Sequence, residues 1–346
     1  MLGKEKYVSL TNKDMIQGKL GMEKVLFRGT RKLVNSAGII KSRGNEYYDE
    51  SYVQIRNQDA NDAIRNAIIN SNAGLMITKF GTVELSLICC DLVNRRGINY
   101  SDYKMAFEDL LCIVYEDAVK AMCNNAGFFP ASKKSCCKYT DLVLEDTKQI
   151  DFLGSYLYQE RYIEKYVYSA KKVNLEGYYA PFLWENPWTM ELKNKKVLVV
   201  HPFVETIKQQ YEKRKYLFEN KDVLPEFSDL ILIKAVQSIA GNGESSEFAS
   251  WFDALESMKN EMDNADYDIA LIGCGAYGMS LAAHAKRKGK IAIHLAGWTQ
   301  MLFGIYGNRW INDQPEYKKY INSNWTRPSE FERPKGAGKV EGGCYW

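Results

Sequence analysis

Ile269-Ala270-Leu271-Ile272-Gly273-Cys274-Gly275-Ala276-Tyr277-Gly278 decides how this chain is read. Four consecutive apolar residues without polar alternation describe a strand buried on both faces. The glycines that follow allow a sharp turn, and a helix is expected from there to Lys288. Strand, GxGxxG and helix in this order bring backbone N–H groups and the positive helix terminus to one point, which suits a phosphate. Gly273, Gly275, Tyr277 and Gly278 are therefore candidate nucleotide-binding residues; the alternative is a tight turn without a ligand. A dinucleotide site normally adds an acidic residue at the end of the next strand. That strand, Ile291 to Leu295, runs through Ile293-His294-Leu295-Ala296-Gly297 and has none.

The same alternation extends outward. A strand from Lys196 to Val200 leads through His201-Pro202-Phe203 into a helix from Val204 to about Phe218. A strand from Leu230 to Val236 precedes the loop Ala240 to Gly243 and a helix from Glu247 to Met262, with Trp251, Leu255 and Met258 on one face. Upstream, Asp59 is expected to cap a helix to Asn70 with Ala63, Ala67 and Ile68 as its stripe. Leu75 to Lys79 reads as a strand, and Phe80-Gly81-Thr82-Val83-Glu84-Leu85 as a turn into another helix. Phe107, Leu110, Leu111, Val114, Ala118 and Met122 predict a helix from Ser101 to Asn124, ended by Asn125, Gly127 and Pro130. Residues 131 to 188 are aromatic-rich without a clear period. The sum is an α/β fold, Rossmann-like, with a mostly parallel sheet covered by helices on both faces and a helical N-terminal part. We expect an N-terminal extension over 1–57, one domain over 58–327 and an irregular tail over 328–346.

Composition narrows the function. Lys and Arg total 46 against 43 Asp and Glu, so nothing in the net charge of +3 marks a nucleic-acid partner. Neither a signal peptide nor a long apolar run is present, so a cytoplasmic protein with at most peripheral membrane association is expected. The eight cysteines form no CxxC and only three histidines accompany them, which argues against structural zinc and for reduced thiols. The sequences of a nucleophile elbow, a P-loop and a zinc protease are also missing.

Other residues with chemical potential fall just past strands. Glu84 either ligates a cation, binds a sugar hydroxyl or acts as a base, or is simply a first-turn carboxylate favoured by the helix dipole. His201 and His294 end strands and are candidate acceptor-side bases, or else hydrogen-bonded core groups. His284, in mid-helix, reads as structural. Arg309 is a candidate phosphate partner, with Trp310 beside it. Lys286-Arg287-Lys288 complements a helix C-terminus.

Several segments together resemble a family of uncharacterised bacterial proteins associated with surface-polysaccharide gene clusters. They are Ile77-Thr78-Lys79-Phe80-Gly81-Thr82-Val83-Glu84-Leu85, Asn125-Ala126-Gly127-Phe128-Phe129-Pro130, Val199-Val200-His201-Pro202-Phe203 and the glycine turn. Phe303-Gly304-Ile305-Tyr306-Gly307-Asn308-Arg309-Trp310 and the ending Val340-Glu341-Gly342-Gly343-Cys344-Tyr345-Trp346 belong to the same resemblance, which covers most of the chain from about residue 58. More distantly, that family is similar to the GT-D glycosyltransferases, whose Arg-Phe/Tyr-Gly-Asp-x-Glu segment holds a metal and the donor diphosphate. Here Lys79 stands for the arginine and Thr82 for the aspartate, so Glu84 alone carries over.

The resemblance implies a GT-D-like, hexosyltransferase-type enzyme of polysaccharide biosynthesis. Its substrates would be a nucleotide-diphosphate sugar and a glycan or lipid-linked acceptor. Lys79, Gly81 and Thr82 would meet the donor, and Glu84 would hold Mn²⁺ or Mg²⁺. Two alternatives stand beside it: a Rossmann-like oxidoreductase or other group transferase, such as a pyruvyl transferase, and a non-catalytic nucleotide-sugar-binding protein.

Overall fold

A parallel sheet covered on both faces needs two apolar sets on each strand, and these strands carry them. A computed structural model describes Leu33 and residues 48–96 and 115–346. Its strands are β1 (Leu75–Thr78), β2 (Phe152–Gly154), β3 (Lys171–Val173), β4 (Lys196–His201), β5 (Asp229–Lys234), β6 (Ile269–Ile272) and β7 (Ile291–His294). They form one sheet in the order β3-β2-β1-β7-β6-β4-β5, with every neighbouring pair parallel. Leu75, Val197, Ile269 and Ile291 align across its centre. The fold is thus α/β and Rossmann-like, as expected.

Met76, Leu198, Val200, Ala270 and Ile272 point into one core layer. Helices α2 (Thr82–Arg96), α3 (Tyr115–Ala126), α4 (Lys133–Asp146), α6 (Trp251–Asn264) and α7 (Gly278–Arg287) cover that face. Trp251 is its centre, stacked on Tyr277 at 4.9 Å and edge-on to Tyr139 at 5.3 Å. Leu75, Ile77, Val197, Val199, Ile269 and Leu271 point the other way. There α1 (Asn57–Ile69), α5 (Val204–Glu212) and irregular segments bearing Tyr178, Trp188, Trp298 and Trp310 close the second layer. Each fully buried Leu or Ile contributes roughly 1.5–3 kcal/mol relative to exposure.

Several elements differ from the sequence reading, β5 for example running Asp229–Lys234 instead of Leu230 to Val236. α1 begins at Asn57, so Asp59 lies in its first turn instead of capping it. Its first N–H donates 2.8 Å to Asn174 Oδ1, a cap from 117 residues away. β2 and β3 fall in the stretch without a clear period, because three residues per strand are too few to show one. α6 starts at Trp251 rather than Glu247, since Ser250 Oγ accepts the Asp253 N–H. α5 stops at Glu212, and a separate short helix, Arg214–Leu217, follows. The expected helix over 101–124 is described only from Tyr115. Phe107, Leu110, Leu111 and Val114, most of the extension over 1–57 and the helical N-terminal part lie outside the described residues.

The segment after residue 327 is irregular but built in. Glu332 is buried against the start of α5. Its carboxylate accepts the Glu205 N–H at 2.8 Å, the Thr206 N–H at 3.2 Å and the Thr206 hydroxyl. These bonds satisfy helix donors that have no intrahelical partner, at the end where negative charge is favourable. Replacing Glu332→Ala is expected to lower unfolding free energy by about 1–3 kcal/mol in urea titrations. An unchanged midpoint and slope would show that the carboxylate does not hold this segment down.

Candidate functional site

The sheet order creates a crevice at one place. From β4 the chain moves outward to β5, whereas from β6 it moves the opposite way to β7. Between such strands the connecting segments diverge and leave a gap beyond the carboxyl ends, where open α/β sheets take their ligands. A cleft of about 660 Å³ lies there. This volume is within the ordinary range for small-molecule sites.

Lys79 leaves the end of β1. Its Nζ is 3.3 Å from Tyr156 Oη and 3.4 Å from the Phe80 carbonyl. Tyr156 donates its own proton to that carbonyl at 2.8 Å, so its oxygen is free to accept from the lysine. Burial pulls the Lys79 ammonium below its ordinary pKa; the nearby Glu84 carboxylate opposes this and Arg309 adds to it. A desolvated cation with mainly neutral hydrogen-bond partners favours the arrival of an anion.

Glu84 stands in the first turn of α2. A Cβ on Gly81 would overlap its carboxyl group, so the glycine makes room for Glu84 to fold back over the helix start. Burial pushes this carboxyl above the usual range, while a backbone N–H and Lys79 pull it down and Glu341 raises it further. Thr82, the first residue of α2, also lines the cleft.

This donor set does not fit the Mn²⁺ or Mg²⁺ expected at Glu84. Hard divalent cations take several oxygen ligands, usually including more than one carboxylate. Here Glu84 is folded back over its own helix start beside Lys79, and Glu341 is taken up by Arg309. Among the described residues no group of three or more His, Cys, Asp or Glu side chains is arranged to hold a metal ion.

Both strand-end histidines reach the cleft. His201 Nδ1 accepts the Phe203 N–H at 3.0 Å, so the neutral ring carries its hydrogen on Nε2. That tautomer makes Nε2 a donor, whereas an acceptor-side base needs a free lone pair there. His294 Nδ1 lies 3.0 Å from Thr78 Oγ1, and its Nε2 is buried without a protein partner. A Cβ on Gly278 would collide with the same ring, so Gly278 serves close packing and does not line the cleft. Burial lowers both histidines to about 3, with Lys79 contributing at His294.

Gly273 and Gly275 do line the cleft, and Gly275 has φ +57°, in the left-handed region. Tyr277 is fixed by its stack on Trp251 and by Ser238 Oγ, 3.2 Å from its hydroxyl. After β7, Ala296 also adopts a positive φ, +51°, at the cleft wall. Such a backbone is unfavourable for a residue with a side chain and is held only by its surroundings.

Arg309 closes the opposite side. It pairs with Glu341 at 2.5 Å, lies 4.6 Å from the Tyr345 ring centroid and is 3.2 Å from Cys344 Sγ. Trp346 packs edge-on to Phe203 at 5.9 Å. Sequence reading gave no chemical role to Glu341, Tyr345, Trp346 or Tyr156. The signal available was a charged and aromatic cluster inside a glycine-rich tail, which has no period to place it. Of the residues expected at a site, the fold gathers Lys79, Gly81, Thr82, Glu84, His201, Gly273, Gly275, Tyr277, His294 and Arg309.

Compared with known proteins, the chain matches no family model, no curated protein and no solved structure.

Because both histidines are neutral when folded and titrate near 6.5 when exposed, the unfolded chain binds more protons between those values. Their contribution to stability is complete above about 6.5 and is lost as pH falls toward about 3. Denaturation between pH 6 and pH 4 is expected to show a smaller pH slope for His294→Gln than for the parent, by up to about 1.4 kcal/mol per pH unit. An unchanged slope would contradict a buried neutral His294.

Proposed function

We propose that the protein is a glycosyltransferase moving a sugar from a nucleotide-diphosphate sugar to a glycan or lipid-linked acceptor. The observation that carries this reading is the convergence of Lys79, Arg309 and Glu84, two cations and a carboxyl group, on one cleft beyond the sheet's carboxyl ends. Sugar transfer from such a donor builds negative charge on a leaving diphosphate and, when it inverts, releases a proton from the acceptor hydroxyl. Lys79 and Arg309 supply the first need. Fixed cations in a desolvated site stabilise developing charge without reorganising.

Glu84 supplies the second. A carboxyl group raised above the usual range lies nearer the working pH, where a general base is most effective. The N–H on His201 Nε2 is available to a ligand oxygen, so His201 binds in this scheme and does not take the proton. Tyr179, Trp298, Tyr345 and Trp346 give the cleft aromatic walls suited to a sugar ring or a nucleobase. β7 ends in His294 where a dinucleotide site carries an acid, which lends no support to the oxidoreductase alternative.

The wider setting that belongs to this reading is bacterial surface-polysaccharide assembly at the cytoplasmic side, where nucleotide sugars are made. Among the described residues no helix is long and apolar enough to cross a membrane, so peripheral contact would bring a lipid-linked acceptor to the cleft.

The test is release of nucleoside diphosphate from a panel of UDP-, GDP- and dTDP-sugars with glycan and lipid-linked acceptors. Glu84→Gln is expected to lower kcat by about 10²–10⁴ with little change in donor affinity. Full turnover in that variant would remove Glu84 from the chemistry, and no acceptor-dependent release across the panel would overturn the transferase reading.

A further inference from the structure

Arg309 is the one cleft cation whose present partner comes from the C-terminal segment. Its guanidinium is partly buried, with 23% of the side chain exposed. It is held on one side by the Tyr345 ring and on another by the Glu341 carboxylate. Glu341 is not itself buried, being 44% exposed, and its other contact is a weak one from Cys344 Sγ at 3.4 Å.

The backbone beneath this carboxylate is unusual. Glu341 has φ +45°, followed by Gly342 at +67° and Gly343 at +77°. A glutamate in the left-handed region costs free energy. The Gly343 N–H donates to the Val340 carbonyl at 2.8 Å and closes this turn, and the ion pair with Arg309 holds the Glu341 side chain.

Four of the charged groups of the cleft also interact. Glu84, Arg309 and Glu341 all act on Lys79, so groups from α2, from the segment after β7 and from the chain's last ten residues converge on one region. Lys79 and Arg309 share the cleft lining with three carboxylates, those of Glu84, Asp313 and Glu341, and Glu341 is the one seated on Arg309. A diphosphate offers oxygens that Arg309 binds in the same planar, two-pronged geometry as a carboxylate.

We propose that Glu341 stands in for the ligand's phosphate on Arg309, and that the cleft binds a diphosphate without a metal ion by exchanging Glu341 for it between Arg309 and Lys79. This deepens the glycosyltransferase reading by naming how the donor's diphosphate is held, and it rests on that reading only for the identity of the ligand. In the bound state Arg309 and Lys79 face the diphosphate, and the Glu341 side chain swings to solvent. Tyr345 keeps the guanidinium plane in place throughout.

The exchange predicts effects of opposite sign from the two ends of one ion pair. Calorimetric titration of the full chain with UDP, GDP, CDP, ADP and inorganic pyrophosphate, in EDTA and again with Mn²⁺, provides the test. Glu341→Gln, which removes the competitor, is expected to bind the preferred diphosphate several-fold tighter in EDTA, and Arg309→Lys roughly tenfold weaker. Tightening cannot arise from a variant that folds badly, and thermal melts on both proteins check the weakening. Pyrophosphate binding alongside the nucleotide would place recognition on the diphosphate; binding of a nucleotide with no response to either substitution would overturn the proposal. So would unchanged or weaker binding by Glu341→Gln, binding that appears only with Mn²⁺, or no binding of any of the five probes. Metal-free diphosphate binding without sugar transfer would leave the clamp standing and remove the transferase. Transfer that requires Mn²⁺ would do the reverse.

Discussion

The constraint on which the rest of this molecule depends is that an all-parallel sheet must be covered on both faces. Each central strand presents apolar side chains alternately to two layers. A ligand therefore finds open space at the sheet's ends rather than on its faces. At the carboxyl end the outward course of β4 and the opposite course of β6 open the one crevice the topology requires. Lys79, His201, Gly273 and His294 are in that crevice because each is at, or one residue past, the end of a strand.

The electrostatics of the cleft follow from its depth. Desolvation is the leading influence on Lys79, Glu84, His201 and His294, and in every case it disfavours charge. The two histidines respond by staying neutral and serving as hydrogen-bonding groups. The lysine and glutamate moderate each other, with the arginine and Glu341 as an outer pair. Such a site has low cost for holding one more charged ligand, because the alternative is to leave its own charges partly unsolvated.

The C-terminal segment is the other structural device. Glu332 caps α5 and Glu341 pairs with Arg309, while Tyr345 and Trp346 add aromatic walls. A stretch with little regular structure is thus fixed by its side chains at both the helix start and the cleft. In that sense the domain is completed by a segment whose composition alone suggests a loose tail.

The sequence by itself determined the elements whose physics is local. The apolar runs of β1, β4, β6 and β7, the glycine turn after β6 and the amphipathic stripe of α6 are each encoded within a dozen neighbouring residues, and all are where they were expected. The positions just past strands, Lys79, His201 and His294, were legible as site candidates for the same reason. Tertiary structure alone decided what depends on distant partners. Asn174 sets the start of α1, β2 and β3 exist as strands only because β1 pairs with β2 and β2 with β3, and Phe203 fixes the tautomer of His201. The arrival of Glu341 on Arg309 joins residues 32 positions apart through a left-handed turn. No periodicity records such a meeting, since it is made by the way two irregular segments pack at the cleft rather than by any pattern within either one.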